Sequence, residues 1–429
     1  MADSGVRERR GTQGNGFFPP LPPAARQALA LLPEALERLR PLSAAQRRSL
    51  PEDAAELSRL LTAERTALRR SYWLSPAFVS AYLYYFLPWN LLRLARLFSS
   101  LSLPDPRLFA PGEALLVDVG SGPLTLPIAL WMARPDLVDA PLDVIALDSA
   151  PQPLELGKSL FRILGEMTGR PVWPLYAERG RAGRPGRSAG GLNRRCAGEH
   201  ARPWLVTAAN VLNEFHVYPG QRRIFGKAPG EAGDGGPGCG GAPAGDILRY
   251  FFSRPAASGP EPPARLAVEP GTRLGGRTIM ALREQAGEGG LRALAPCPHN
   301  AVCPLLKARG RAWCHFTFDC AGAPGWLERL SGEAGLAKTS LSLSFLLLRR
   351  DGAAREDEKP AAARVLSAPF AVPGLAGRAR YACCAKGLLL LEDAAGLAQG
   401  ELLRIRLAQN APRDAKSGAL IIRAGSLAR

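Results

Sequence analysis

One turn constrains this chain more than any other feature. Residues 115–119, LLVDV, are an apolar run that closes on an acid; GSGP follows, and then LTLPIALWMA. Four apolar residues around one acid suit a buried strand and the longer run suits a buried helix, while the two glycines allow the sharp backbone reversal between them. The pattern returns at once: DVIALD at 143–148 ends on a second acid, and QPLELGKSLFRILGEM is a second helix. Strand and helix in alternation predict a parallel sheet with crossover connections. Three more buried-strand candidates, WLVTAANV (204–211), RLAVEP (265–270) and SLSFLLLRR (342–350), extend it. The expected fold class is therefore α/β with a Rossmann-like sheet.

The rest of the chain is arranged around that sheet. Over residues 20–70, Leu29, Leu31, Leu32, Leu36 and Leu39, and later Leu57, Leu60, Leu61 and Leu68, recur at helical spacing. Ser71 to Leu92 carries no charge and has the length of a membrane span, but Pro76, Pro88 and Asn90 interrupt it and four tyrosines bring hydroxyls. A buried helix pair is the expectation, with no membrane partner. After Arg364 the runs ARYACCA, GLLLLED, ELLRIRLA and ALIIRAG read as short strands of a basic appendage. Two stretches without periodicity, 179–200 (rich in Arg) and 227–245 (Gly, Pro and Ala), read as surface insertions. Three regions follow: a helical 1–108, a sheet domain 109–350 with a Cys-rich segment 295–320, and the β appendage 364–429. No pattern signals a homo-oligomer.

The chain carries a net charge of +17, and all but seven of its 55 basic residues are arginine. Such a field attracts polyanions, and arginine suits phosphate forks and stacking on unpaired bases. The leading residues hold Asp3 and Glu8 with no apolar run after them, which resembles neither a secretory signal nor a mitochondrial presequence. A bacterial-type cytoplasmic protein is expected ahead of a mitochondrial one. Eight cysteines in a reducing compartment point to metal or chemistry rather than to disulfides.

Two constellations carry chemistry. In the turn, Asp118 closes the first strand and Gly120, Ser121 and Gly122 let a ligand approach the following helix N-terminus, while Asp148 ends the second strand where an acid accepts both ribose hydroxyls of an adenosine. This is the arrangement shared by dinucleotide-binding and S-adenosylmethionine-binding sheets. Asn213 and Glu214, just past WLVTAANV, fall on the same sheet edge, as does Glu269. The second constellation, CPHNAVCPLLKARGRAWCHF, sets Cys297, Cys303 and Cys314 within eighteen positions beside His299 and His315, and Cys383 and Cys384 follow in the tail. Paired CxxC knuckles of the zinc type are absent and Cys–Pro occurs twice, which favours an iron–sulfur cluster modestly over zinc; a nucleophilic cysteine is the runner-up.

Together, VDVGSGPLT, VLNEF, VEPGT, CPHNAVCPLL with WCHF, and CCAKG, in that order over about residues 110–390, resemble the mitochondrial small-ribosomal-subunit methyltransferase-like family and its bacterial relatives. The resemblance implies a class I methyltransferase fold that binds S-adenosylmethionine and acts on or with small-subunit ribosomal RNA. It also implies a 4Fe–4S cluster held by Cys297, Cys303, Cys314 and Cys383, with Cys384 the alternative fourth ligand because Ala385 and Lys386 replace the family's Pro and acid. Leu124 stands where the family has a third glycine, and is expected to narrow the space for the methionine carboxylate or to tilt the helix. Some relatives act as assembly factors without catalysis, so an enzyme and a non-enzymatic assembly factor both remain open.

Overall fold

The computed structural model describes residues 16–62, 71–110, 112–179, 202–212, 263–307, 312–350, 361–408, 410–423 and 427–428. Asn213, Glu214, most of the Arg-rich stretch and the whole Gly-rich stretch lie outside them.

The central sheet has the strand order β3 (Leu175–Arg179), β2 (Leu142–Asp148), β1 (Ala114–Val119), β4 (Arg202–Ala209), β5 (Ala264–Pro270), β8 (Ser340–Arg349) and β6 (Arg292–Ala295), with β7 (Phe316–Asp319) also paired to β8. The first five are parallel, and β8 runs antiparallel to β5, β6 and β7. From β1 the chain steps outward through β2 to β3, then returns to the other side of β1 as β4 and β5. The order therefore reverses between β1 and β4, and the carboxyl ends of those strands open a crevice there.

Both faces of the sheet are covered, which is why its strands are apolar runs rather than alternations. Every residue of β1 is buried, as is every residue of α5 (Thr125–Ala133). A helix apolar all round has to be enclosed by others. Around it lie α1 (Pro23–Leu39), α4 (Leu87–Phe98) and α6 (Pro151–Thr168). The uncharged stretch forms α3 (Pro76–Ala81), a π-helical turn (Tyr82–Phe86) and α4. Pro76 sits in the first turn of α3, where its missing N–H costs nothing, and the Ser75 hydroxyl accepts the Phe78 N–H. No helix among the described residues is long and apolar enough to cross a membrane.

The tail builds a second sheet in the order β13 (Leu420–Ile422), β11 (Gly387–Leu391), β10 (Arg380–Cys384), β9 (Ala361–Val365), β12 (Leu402–Ile405) and β14 (Leu427–Ala428). It is antiparallel except for β11 with β13. Arg364 of β9 fastens it to the rest of the molecule: Nε donates to the Pro296 carbonyl at 3.0 Å, Nη1 to that of Gly400 at 2.9 Å, and the guanidinium lies 4.3 Å from the Phe17 ring centroid. Gln399 adds two bonds, donating to the His315 carbonyl and accepting from the Thr317 N–H.

Gly157 is where α6 meets the Gly-rich turn. A Cβ there would stand 2.4 Å from the Pro123 carbonyl carbon and 2.7 Å from Leu124 Cγ, so the helix packs directly on the loop. Gly157→Ala must push α6 off the turn, and is expected to cost about 1–3 kcal/mol. Urea denaturation would show this as a lower midpoint at unchanged slope.

Candidate functional site: a crevice at the strand-order reversal

The turn is assembled around one buried carboxylate. Asp118, at 1 % exposure, accepts the Ser121 hydroxyl on Oδ2 at 2.5 Å and the Thr207 hydroxyl on Oδ1 at 2.6 Å. Those bonds join the end of β1 to its own turn and to β4 across the reversal. Burial is the main cause that lifts the Asp118 pKa to about 7; the Ser121 and Thr207 hydroxyls pull it down, and the Asp148 charge adds to the rise. The Gly120 and Ser121 N–H groups both donate to the Leu147 carbonyl of β2, which holds the turn against the sheet edge. Gly120 has φ +69°, and a Cβ on it would stand 2.4 Å from Val211 Cγ2, so the position admits only glycine.

Asp148 lies on the open side. Its Oδ2 accepts the Gly122 N–H at 2.8 Å and its Oδ1 the Ala150 N–H at 2.9 Å. Burial pushes its pKa up, against the pull of those backbone bonds and of the Ser149 N–H and hydroxyl. The carboxylate lines the crevice, where it can accept hydroxyl donors. The two acids therefore divide the work: Asp118 builds the turn and Asp148 faces the crevice.

Leu124 does not narrow the crevice. It takes the left-handed conformation at the N-cap of α5, with φ 57° and ψ 32°, and its side chain is fully buried against Gly157 rather than lining the opening. The glycine of α6 makes room for the leucine of the turn.

The crevice is a cavity of about 970 Å³, bounded by Gly120, Ser121, Gly122 and Asp148 on the sheet side and by Tyr82, Trp89 and Arg93 from the helical region. Sequence reasoning missed Asn210 and Arg93. Asn210 directly follows β4 with φ 59°, and its Oδ1 accepts Arg93 Nη2 at 2.9 Å. The sequence did contain a signal: an Asn at the end of an apolar strand run tolerates the left-handed region. Asn213 and Glu214, chosen instead, lie outside the described residues.

The second constellation converges elsewhere. Cys297, Cys303, Cys314 and Cys383 all line a cavity of about 30 Å³, roofed by Arg283 and Arg364. Arg283 Nε donates to Cys297 Sγ at 3.2 Å, and His299 Nε2 lies 3.2 Å from Cys383 Sγ. Burial is the leading cause that raises the thiol pKa values of Cys297, Cys314 and Cys383, and it holds His299 down at about 4. His299 Nδ1 is buried without a hydrogen-bond partner among the described residues. Cys384 is buried beneath the second sheet, off this cavity. Among the described residues, no group of three or more His, Cys, Asp or Glu side chains forms a site for a metal ion.

Residues 263–384 match the model of the family described as mitochondrial small ribosomal subunit Rsm22. The resemblance is to Rsm22. The Rsm22-like stretch begins at β5 and ends at Cys384, so it contains all four cavity cysteines and stops short of the Gly-rich turn. Solved structures similar to this chain include an arsenic(III) S-adenosylmethionine methyltransferase from Chlamydomonas reinhardtii (13 % identity, 64 % of this chain and 79 % of that one, TM-score 0.26). Another is an S-adenosylmethionine-dependent methyltransferase from Geobacter sulfurreducens in complex with S-adenosyl-L-homocysteine (12 % identity, 60 % and 97 %, TM-score 0.25). No curated protein matches the sequence. The strand order itself is Rossmann-like, a parallel sheet reversing between β1 and β4, with a separate small sheet at the carboxyl end.

The lifted pKa of Asp118 has a pH signature. Its folded value, about 7, lies above the ordinary 3.8, so its contribution to stability is present at acid pH and is lost as pH rises from about 4 through 7. Three units correspond to at most about 4 kcal/mol. The melting temperature of the wild type minus that of Asp118→Asn is expected to fall from pH 5 to 7.5 and then level off.

Proposed function

We propose that this chain binds S-adenosylmethionine in the crevice and acts on or with small-subunit ribosomal RNA as a methyltransferase-like factor of the ribosome. The observation that carries the reading is the crevice itself. At the reversal of strand order, a glycine turn opens onto a helix N-terminus beside Asp148, whose carboxylate lines the crevice. Its volume of about 970 Å³ lies within the range of cofactor and small-ligand sites. The Rsm22 description supplies the ribosomal association, and a net charge of +17 suits an RNA partner. That description is mitochondrial, where the sequence by itself favours a bacterial-type cytoplasm.

Calorimetry with S-adenosyl-L-homocysteine tests the cofactor. Binding is expected for the wild type, and Asp148→Ala is expected to weaken it at least tenfold by removing the ribose acceptor. No binding to the wild type would sink this reading and leave the alternative, a non-enzymatic assembly factor. One observation favours that alternative: the Rsm22-like stretch covers the cysteine cavity and the tie to the second sheet, not the turn.

The cysteine cavity is read as a cluster site. The thiols of Cys297, Cys303, Cys314 and Cys383 share one cavity without forming a single-ion site, and Arg283 and Arg364 place two buried cations beside them. That donor set fits a four-thiolate 4Fe–4S cluster, whose net negative charge the guanidiniums offset, better than it fits one zinc ion. Such a group would tie the Cys-rich segment to β10 of the second sheet. Protein purified without oxygen is expected to hold about four irons and four labile sulfides per chain, and Cys314→Ser to lose both. Stoichiometric zinc without sulfide would replace the cluster with a zinc site.

A further inference from the structure

The crevice extends well past the glycine turn, and its far half is built differently. The turn and Asp148 stand over the ends of β1 and β2. Beyond them, over β4, β5 and the start of β8, the wall carries two cations, Arg93 from the helical region and Lys338 from the segment that leads into β8. Arg93 of α4 is 9 % exposed. Its Nη2 donates to Asn90 Oδ1 at 2.8 Å and to Asn210 Oδ1 at 2.9 Å, and its Nη1 to the Ser342 carbonyl at 3.3 Å. All three acceptors are neutral, and Nε has no hydrogen-bond partner among the described residues. The carboxylate whose charge reaches Arg93 is Glu269, which spends one oxygen on the Leu212 N–H. Lys338 lines the same half, with Nζ 5.6 Å from the Tyr85 ring centroid and 5.9 Å from that of Trp89. Burial lowers the pKa of both cations, that of Arg93 to about 10, and the charge of Arg93 lowers that of Lys338 further.

Arg93 is a buried cation offset only by neutral hydrogen-bond acceptors and the charge of Glu269, and Lys338, exposed on the wall of the same crevice, adds a second positive charge within electrostatic reach of it. An oxyanion in the crevice would interact favourably with both. We propose that Arg93 and Lys338 form an oxyanion subsite in the far half of the crevice, which receives a carboxylate or a phosphate group. Part of the crevice wall is aromatic, with Tyr72, Tyr82 and Phe86 stacked in sequence, which offers a flat apolar surface. Two sources supply such an oxyanion: the methionyl carboxylate of the cofactor, or a phosphate of the methyl acceptor. The subsite deepens the cofactor reading given above, and its test separates the two.

The variant is Lys338→Met, which keeps the length and the contact with the Tyr85 and Trp89 rings while removing the charge; Arg93→Gln is the second. The full-length protein is titrated with S-adenosyl-L-homocysteine, with 5′-methylthioadenosine, which lacks the amino acid carboxylate, and with inorganic phosphate read by its protection against thermal unfolding. If the subsite holds the cofactor carboxylate, Lys338→Met weakens S-adenosyl-L-homocysteine at least tenfold and leaves 5′-methylthioadenosine unchanged. If it holds an acceptor phosphate, both nucleosides are unchanged and the protection by phosphate is lost. Lys338→Met indistinguishable from the wild type with all three probes overturns the subsite, whether or not Arg93→Gln folds. Should neither nucleoside bind the wild type, the cofactor reading fails while the phosphate measurement still decides the subsite.

Discussion

The carboxylate of Asp118 is the joint on which the site depends. A parallel sheet whose strand order reverses sends the chain in opposite directions from the ends of β1 and β4, which are paired as far as Val119 and Ala208, and a side-chain tie at those ends adds to the ladder. Asp118 makes that tie with two short hydrogen bonds, one to Ser121 in the turn and one to Thr207 in β4. The cost is an acid moved out of water, visible in its lifted pKa. Asp118 is enclosed and committed to the turn, so ligand contact passes to the partly exposed Asp148, held by the Gly122 and Ala150 N–H groups and by Ser149. Two acids that look equivalent in sequence therefore have different duties, set by which one is enclosed.

Arginine plays the corresponding part at the second joint. Arg364 and Arg283 each place a rigid planar fork among carbonyl oxygens: Pro296 and Gly400, from two separate segments, for the first, and His299 and Ala301, from the one Cys-rich segment, for the second. Five donors in fixed geometry can satisfy several orphan carbonyls at once, which a lysine cannot do. The four cysteines sit in the space these forks enclose, so the Cys-rich segment and β10 meet across a cavity that is held from outside as well as from within. The bias toward arginine, read in the sequence as a preference for phosphate, has here a structural use as well.

What was legible in the sequence was whatever repeats locally. The runs 115–119, 143–148 and 265–270 fall in strands because a sheet covered on both faces makes each strand continuously apolar, and such runs stand out. Leu175–Arg179 escaped notice because β3 is an edge strand and only partly buried, so its composition, LYAER, is mixed. Phe316–Asp319 and Arg292–Ala295 are only four residues each, too short for any periodicity. At the site, residues fixed by the turn chemistry were readable, whereas Arg93 was not: it reaches Asn210 across 117 positions, and only the packing of α4 against the sheet end brings them together. Leu124 was misjudged for the same reason, since its effect depends on Gly157, in a helix that the turn itself does not reveal.

The helical region therefore cannot be treated as an appendage to a self-sufficient sheet domain. Its α4 is buried on nearly every side: Trp89 donates to Ser331 Oγ, Arg93 reaches β8 and Asn210, and Arg96 binds the carbonyls of Phe18, Pro19 and Asp319. A helix held by that many buried polar anchors has one position and one rotation. This single helix also closes the crevice over β4 and β5, so the shape of the far half is fixed by the same contacts that fold the amino-terminal quarter of the chain. The crevice consequently has two ends of opposite character, carboxylates over β1 and β2 and cations with aromatic rings over β4 and β5, and the line from one to the other runs past Asn210 at the reversal. A ligand spanning both ends would need a donor-rich group at one and an oxyanion at the other, and its middle would lie at the point where β1 and β4 part.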